Sequence, residues 1–192
     1  MSRKVLIISA SPRKNSNSEA LATAFAEGAK AAGNEVEQIS LAGKKIEFCR
    51  GCFVCQKTQR CVIRDDADLI EQKMEQADVL VFATPIYYYE MSGQLKTMLD
   101  RGNPLYTTEY KFRDVYFLSS AAEDEEGVDA RAVSGVEGWI ECFPKARLAG
   151  RVFAGGVTEA GEVQGKKALE EAYERSIKKL NATADVAFTS CL

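Results

Sequence analysis

The chain has 192 residues, 46% of them apolar and 28% charged, with 25 basic and 28 acidic side chains, a net charge of −3 and no histidine. That length suits one domain core, the composition excludes a disordered chain, and the slightly negative balance leaves no basic stripe for a nucleic-acid backbone, so nucleic acid is excluded as a partner. The absence of histidine removes Ser-His and Cys-His catalytic pairs, histidine-bearing zinc sites and the usual proton shuttle near neutral pH.

In chain order, Val5-Leu-Ile-Ile-Ser-Ala10 is a continuous apolar run, as expected of a strand buried on both faces. A polar loop follows, then a helix with Ser16 and Glu19 at capping-box spacing and Leu21, Ala24, Phe25, Gly28 and Ala29 on one face, stopped by Gly33-Asn34. Glu35 to Leu41 alternates as a second strand. The cysteine-rich loop at 48–62 interrupts the rhythm, which resumes at Asp65, the cap of a helix turning Leu69, Ile70, Met74 and Ala77 to one side. Val79 to Thr84 is the next buried strand, ended by Pro85 because proline cannot donate to a central ladder. Gly93 to Arg101 reads as a helix with Leu95, Met98 and Leu99 apolar. Val115 to Ala121 and Arg151 to Val157 are the remaining strands, separated by a helix carrying Val136, Trp139, Ile140 and Phe143. Lys166 to Leu180 closes the pattern, with Leu169, Tyr173, Ile177 and Leu180 inward and glutamates preceding Arg175, Lys178 and Lys179 outward.

Five short strands alternating with helices specify an α/β fold, a doubly wound parallel sheet of order 2-1-3-4-5 with helices on both faces, formed by residues 1–192 as a single domain. No apolar run approaches the roughly 18 to 20 residues of a bilayer span, and the chain runs from Met1 into its first strand without a cleavage site, so a cytoplasmic protein with no membrane partner is expected.

In sheets of this order the ligand crevice lies at the carboxyl ends of strands one and three. The loop Ser9-Ala-Ser-Pro-Arg-Lys-Asn-Ser-Asn-Ser18 sits there, where helix N-terminal amides and the positive end of the dipole favour a dianionic phosphate. Ser11, Arg13, Ser16, Asn17 and Ser18 can surround its oxygens. The same residues also suit an ordinary polar loop that caps a helix. At the matching edge, backbone groups of Ile86 and Tyr87 can pair with a flat ring while an aromatic side chain packs on it, although adjacent tyrosines also suit a subunit contact. Cys49-x2-Cys52-x2-Cys55-x5-Cys61 places four thiols within thirteen residues, a run that can wrap an iron–sulfur cubane; zinc and free or disulfide-paired thiols are the alternatives. Cys142 reads as a small apolar packing residue, and Cys191 carries no assignment.

The pair Ser-Pro-Arg-x-x-Ser-Asn-Ser and Thr-Pro-Ile-Tyr-x-x-x-Met-Ser-Gly-Gln-Leu-Lys-x-x-Leu-Asp-Arg resembles the NADPH-dependent FMN reductase family, flavodoxin-like proteins, over roughly residues 4 to 120. The resemblance implies a flavodoxin-like fold, FMN phosphate bound by Ser11, Arg13, Ser16, Asn17 and Ser18, and flavin-ring contact at Pro85, Ile86, Tyr87 and Tyr88. It implies NAD(P)H as electron donor, a small-molecule or protein acceptor, and a homodimer or tetramer, with Tyr87, Tyr88, Tyr89 and the tail Val186-Ala-Phe188 as candidate contacts. The cysteine run is similar to that of the iron–sulfur flavoproteins, a branch in which such a motif ligates a [4Fe-4S] cluster, which assigns Cys49, Cys52, Cys55 and Cys61 as ligands. One departure is Ser119-Ser-Ala-Ala-Glu-Asp-Glu-Glu126, where relatives often carry a glycine-containing loop; acids bordering the crevice would repel a second phosphate. A flavodoxin-like carrier without turnover, or a zinc-stabilised binding module, are the rival readings.

Overall fold

The structure is a computed structural model that describes residues 2–181. Five parallel strands form its centre: β1 (Lys4–Ser9), β2 (Glu35–Ser40), β3 (Val79–Tyr87), β5 (Asp114–Ser120) and β6 (Arg147–Ala154), in spatial order β2-β1-β3-β5-β6. Counted among the parallel strands alone, this is the expected 2-1-3-4-5 arrangement. A short strand absent from the sequence reading, β4 (Glu90–Met91), pairs antiparallel with the end of β3.

Strand alternation sorts the apolar runs into two cores. Leu6, Ile8, Leu80, Phe82, Val115 and Phe117 point to one face, where α3 (Asp66–Gln76), α4 (Gly93–Arg101) and α5 (Ala130–Glu141) cover them. An aromatic group fills this core: Phe82 meets Trp139 edge-on at 5.6 Å, and Tyr110 and Phe112 stack at 4.5 Å. Val5, Ile7, Val79, Val81, Tyr116 and Val152 point to the other face, under α1 (Asn17–Ala31) and α6 (Lys167–Asn181).

Several expectations are corrected. Leu69 is exposed, because α3 turns Ala67, Ile70 and Met74 to the sheet along with the carboxylates Asp68 and Glu71. On α6 the buried line is Ala168, Ala172, Ser176 and Leu180; Tyr173 is exposed, and Leu169 and Ile177 are half-buried. The reason is close helix packing: a Cβ at Gly28 of α1 would stand 2.2 Å from Ser176 Oγ and 2.3 Å from the Tyr173 carbonyl oxygen, so only small residues fit the contact. Pro85 does not end β3; it forms the last pair of the β3–β5 ladder, opposite Ser120 and past the end of the pairing with β1 at Ala83, and the strand continues into the hairpin with β4. β6 begins at Arg147, ahead of the expected Arg151, with a bulge where Val115 pairs with Leu148 and Tyr116 with Gly150. Cys142 is exposed at the C-cap of α5 and is not a packing residue. Cys191 and Val186-Ala-Phe188 lie outside the described residues. None of the described helices is long and apolar enough to cross a membrane.

Candidate functional site

At the carboxyl ends of the strands, the loop after β1 runs into α1 with Ser16 as N-cap, its hydroxyl accepting from the Glu19 amide at 3.2 Å. The amides of Asn17 and Ser18, in the first turn, have no acceptor among the described residues, as the start of a helix dictates. The Ser18 hydroxyl is fully buried without a partner, and so is that of Ser9 at the end of β1. Buried orphan hydroxyls are rare in a complete site.

On the far side of the crevice, β3 emerges as Thr84-Pro85-Ile86-Tyr87 and reverses through Tyr88 and Tyr89 into β4. Both turn residues have positive φ, 51° and 67°. A two-residue reversal of this hand demands such angles and normally recruits asparagine and glycine; two tyrosines there store roughly 1 to 3 kcal/mol each. Thr84 holds the base of the hairpin: its hydroxyl donates to the Pro85 carbonyl and accepts from the Ser92 amide, both at 3.0 Å.

A cleft of about 180 Å³ lies between these edges. Ser11, Arg13, Ser16, Asn17, Pro85, Ile86 and Tyr87 line it together, so the structure unites seven of the nine expected positions. Ser18 is buried behind the loop, and Tyr88 points outward at 98% exposure. The Asn17 side-chain amide is committed elsewhere: Nδ2 donates to the Glu159 carbonyl at 2.9 Å and Oδ1 accepts from the Val163 amide at 3.2 Å. Arg13 donates from Nη1 to the Thr158 carbonyl at 2.8 Å and leaves half of its side chain exposed at the rim.

The sequence reading missed the crevice wall formed after β6, where Val157, Thr158 and Ala160 line the cleft. The position of these residues beyond a strand end was the available signal. The end of β5 and the loop after it contribute Ser120, Ala121 and Ala122. The acids of that loop do not line the cleft, and Asp124 packs against Gly155, where a Cβ would meet Asp124 Oδ1 at 2.2 Å.

The cysteine loop forms a second centre on the α3–α4 face. It contains a one-turn helix, α2 (Cys55–Thr58), followed by Gln59 in the left-handed region at φ 57°. Cys49, Cys52, Cys55 and Cys61 line one small cavity with Arg50, Phe53, Val62, Ile63, Arg101, Asn103 and Pro104. Two N–H groups already address sulfur: Asn103 Nδ2 lies 3.6 Å from Cys49 Sγ and the Ile63 amide 3.5 Å from Cys61 Sγ. Burial pushes the Cys55 thiol up, and Cys61, Cys49 and Cys52 add to the rise. Among the described residues no three side chains stand close enough to chelate a metal as they are. The fit to a thiol-ligated centre is therefore one of chemistry and placement: four soft donors and two sulfur-directed N–H groups around one cavity.

Beside this cavity Arg101 is wholly buried. Asp65 accepts from its Nη1 at 2.7 Å. Burial works against ionisation of Asp65, yet the Arg101 hydrogen bond and the Glu47 amide hold its carboxyl below the usual range. Burial pushes Glu71, 3.9 Å from Arg101 Nε, up to about 8, against the opposing pull of Arg101.

Comparison with known proteins bears on both centres. The family model for NADPH-dependent FMN reductases matches residues 3–133. An iron-sulfur flavoprotein of Archaeoglobus fulgidus is 37% identical over 101 residues, which cover 53% of this chain and 46% of that protein, so the match spans less than half of the relative's length. An iron-sulfur flavoprotein of Methanosarcina thermophila is 29% identical over 156 residues, 81% of this chain and 82% of the relative. Among solved structures, an NAD(P)H:quinone oxidoreductase from Methanothermobacter marburgensis superposes with a TM-score of 0.66 at 19% identity, covering 95% of this chain and all of that one (100%). At that identity the likeness shows the flavodoxin-like fold.

Proposed function

The chain belongs to the NADPH-dependent FMN reductase family, and from that membership we propose that it is an FMN-dependent NAD(P)H oxidoreductase whose cysteine loop holds a [4Fe-4S] cluster. The observation that carries this reading is the crevice: the first-helix amides, Ser11 and Arg13 face the Pro85-Ile86-Tyr87 edge across one cleft.

The orphan amides of Asn17 and Ser18 and the hydroxyl of Ser11 bind the phosphate, with Arg13 swinging from the Thr158 carbonyl to add a charge-assisted bond. Ser16 and Asn17 act indirectly, one capping the helix that presents the amides and the other tying the crevice wall to it. Backbone groups of Ile86 and Tyr87 orient the ring, and the Tyr87 side chain excludes water from one side. Bound there, FMN would supply acceptance of a hydride from a reduced nicotinamide and delivery of electrons to an acceptor. No protein acid or base is needed for that transfer, which accords with a chain lacking histidine. Cys49, Cys52, Cys55 and Cys61 would hold the cluster, whose chemistry is one-electron transfer. The exposed Tyr87, Tyr88 and Tyr89 offer a contact for the homodimer or tetramer implied by the resemblance.

The test is anaerobic purification followed by an absorption spectrum, iron and sulfide analysis, and steady-state oxidation of NADH or NADPH with a quinone. A yellow-brown protein with about four irons per chain and nicotinamide turnover is expected. A colourless protein refutes the flavin site; a flavin-loaded protein inert to both nicotinamides is a carrier.

A further inference from the structure

The C-terminal end of α4 brings two nitrogen-bearing side chains to the cysteine cavity that neither chelate nor bind flavin. Arg101 has a side chain with 0% exposure. Its Nη1 donates to the Glu47 carbonyl at 3.0 Å as well as to Asp65, and its Nη2 donates to the Ile63 carbonyl at 3.2 Å. It thus ties together the chain on either side of the cysteine loop. Its Nε is buried without a hydrogen-bond partner. Arg101 lines the cavity with the four thiols, whereas Asp65 and Glu71 do not. Asn103, just beyond the helix, directs its amide nitrogen at Cys49 Sγ.

Burying an arginine is costly unless it is paired and hydrogen-bonded; Asp65 and the Glu47 and Ile63 carbonyls meet that need for Arg101, which also lines the cavity of the four thiols. A centre held by four thiolates carries net negative charge, and each electron added increases it. A buried cation and an N–H donor on sulfur both favour the more negative state, and hydrogen bonds to sulfur are among the determinants of cluster potential. Removing Arg101 would also leave the Asp65 carboxylate uncompensated nearby, which acts in the same direction.

We propose that Arg101 and Asn103 are positioning residues for the centre bound by Cys49, Cys52, Cys55 and Cys61, which hold its negative charge and so raise its reduction potential, while Arg101 also braces the loop that carries the ligands. This rests on the cluster reading above.

The experiment compares wild type, Arg101→Gln, Arg101→Lys and Asn103→Ala as full chains, reconstituted anaerobically with iron and sulfide. Iron per chain, circular dichroism and the one-electron midpoint followed by electron paramagnetic resonance are measured. Arg101→Gln is expected to lower the midpoint by at least a tenfold change in the reduction constant, about 59 mV for one electron. Arg101→Lys keeps the charge and the wild-type midpoint but retains less iron, since an ammonium cannot span Glu47, Ile63 and Asp65 as the guanidinium fork does. Asn103→Ala shifts the midpoint down with full iron. A purely structural role would change iron content and leave the potential alone. Iron-loaded Arg101→Gln at the wild-type midpoint overturns the proposal; if that variant does not fold, an unshifted Asn103→Ala does so. Wild type that takes up no iron removes the cluster reading itself and the proposal with it, an outcome read before any variant is compared.

Discussion

Gly28→Ala tests whether the helix pair behind the phosphate loop is as tightly packed as it stands. On helix propensity alone the change stabilises, since alanine is better than glycine in a helix interior by about 1 kcal/mol. The contact opposes this. The new Cβ would lie 2.2 Å from Ser176 Oγ and 2.3 Å from the Tyr173 carbonyl oxygen. The hydroxyl can rotate away, losing its 2.7 Å bond to that same carbonyl, a loss of about 1 kcal/mol. The carbonyl is backbone within α6 and cannot rotate, so the helix must retreat by roughly 1 Å to restore van der Waals distance. Overpacking of this kind costs about 1 to 3 kcal/mol. The clash wins, with a net loss of about 1 to 3 kcal/mol, or roughly 4 to 8 °C in Tm for a loss near 2 kcal/mol in a chain of this size. Urea unfolding at unchanged m-value gives the measurement. FMN affinity should fall as well, because the segment leading into α6 lines the crevice. A variant as stable as wild type, or more so, would refute the reasoning.

Three further outcomes follow from particular residues. Arg13→Ala removes one charge-assisted bond to phosphate and should weaken FMN binding by roughly 10- to 100-fold; equal affinity in a fluorescence titration would contradict the assignment. Glu71 titrates near about 8 when folded but near about 4.3 when unfolded, so between these values the folded state holds the extra proton and stability declines as pH rises. Glu71→Gln cannot ionise, and its urea midpoint should gain on wild type by the equivalent of about 1.4 kcal/mol per pH unit between roughly pH 5.5 and 7.5; a constant difference across that window would count against the buried-acid account. For Asp114, burial opposes ionisation but hydrogen bonds from Arg3 and Arg147 prevail and hold its carboxyl below the ordinary range. Its contribution is complete above about pH 4 and is lost as pH falls through the folded value, so the stability gap between wild type and Asp114→Asn should close in acid. A gap that stays the same from pH 7 to pH 3 would exclude the ion pairs as its source.

The parts of this molecule legible from sequence are those in which one physical demand dominates. β1 and β3 are buried on both faces, so their apolar runs were unmistakable, and Ser16 and Asp65 cap helices as their side-chain chemistry requires. Legibility failed where two demands compete. Tyr173 and Leu169 are among the large apolar residues of α6, and hydrophobicity turns them inward; the approach of Gly28 instead selects the alanine and serine stripe that runs down to Leu180. Leu69 lost its place because α3 buries Asp68, paired with Arg60 and Arg64 close by in sequence, and Glu71, which sits beside Arg101 from the distant end of α4. The crevice edges at Ser11 and Pro85 were readable because loop chemistry and strand position agree. The wall after β6 was not, since Val157, Thr158 and Ala160 have no chemistry of their own and matter only through where the last strand delivers them.

The side-chain amide of Asn17 joins the first loop of the fold to a segment 142 and 146 residues further along the chain. Loop closure over such a separation comes late in folding, after the local helices and neighbouring strands have formed. A nascent or truncated chain ending before Val157 would therefore hold its phosphate loop without the wall that follows β6, and the cofactor would meet a half-built receptacle. Flavin uptake then reports on the completion of the fold, so that loading with pigment marks a chain assembled from its first strand through its last.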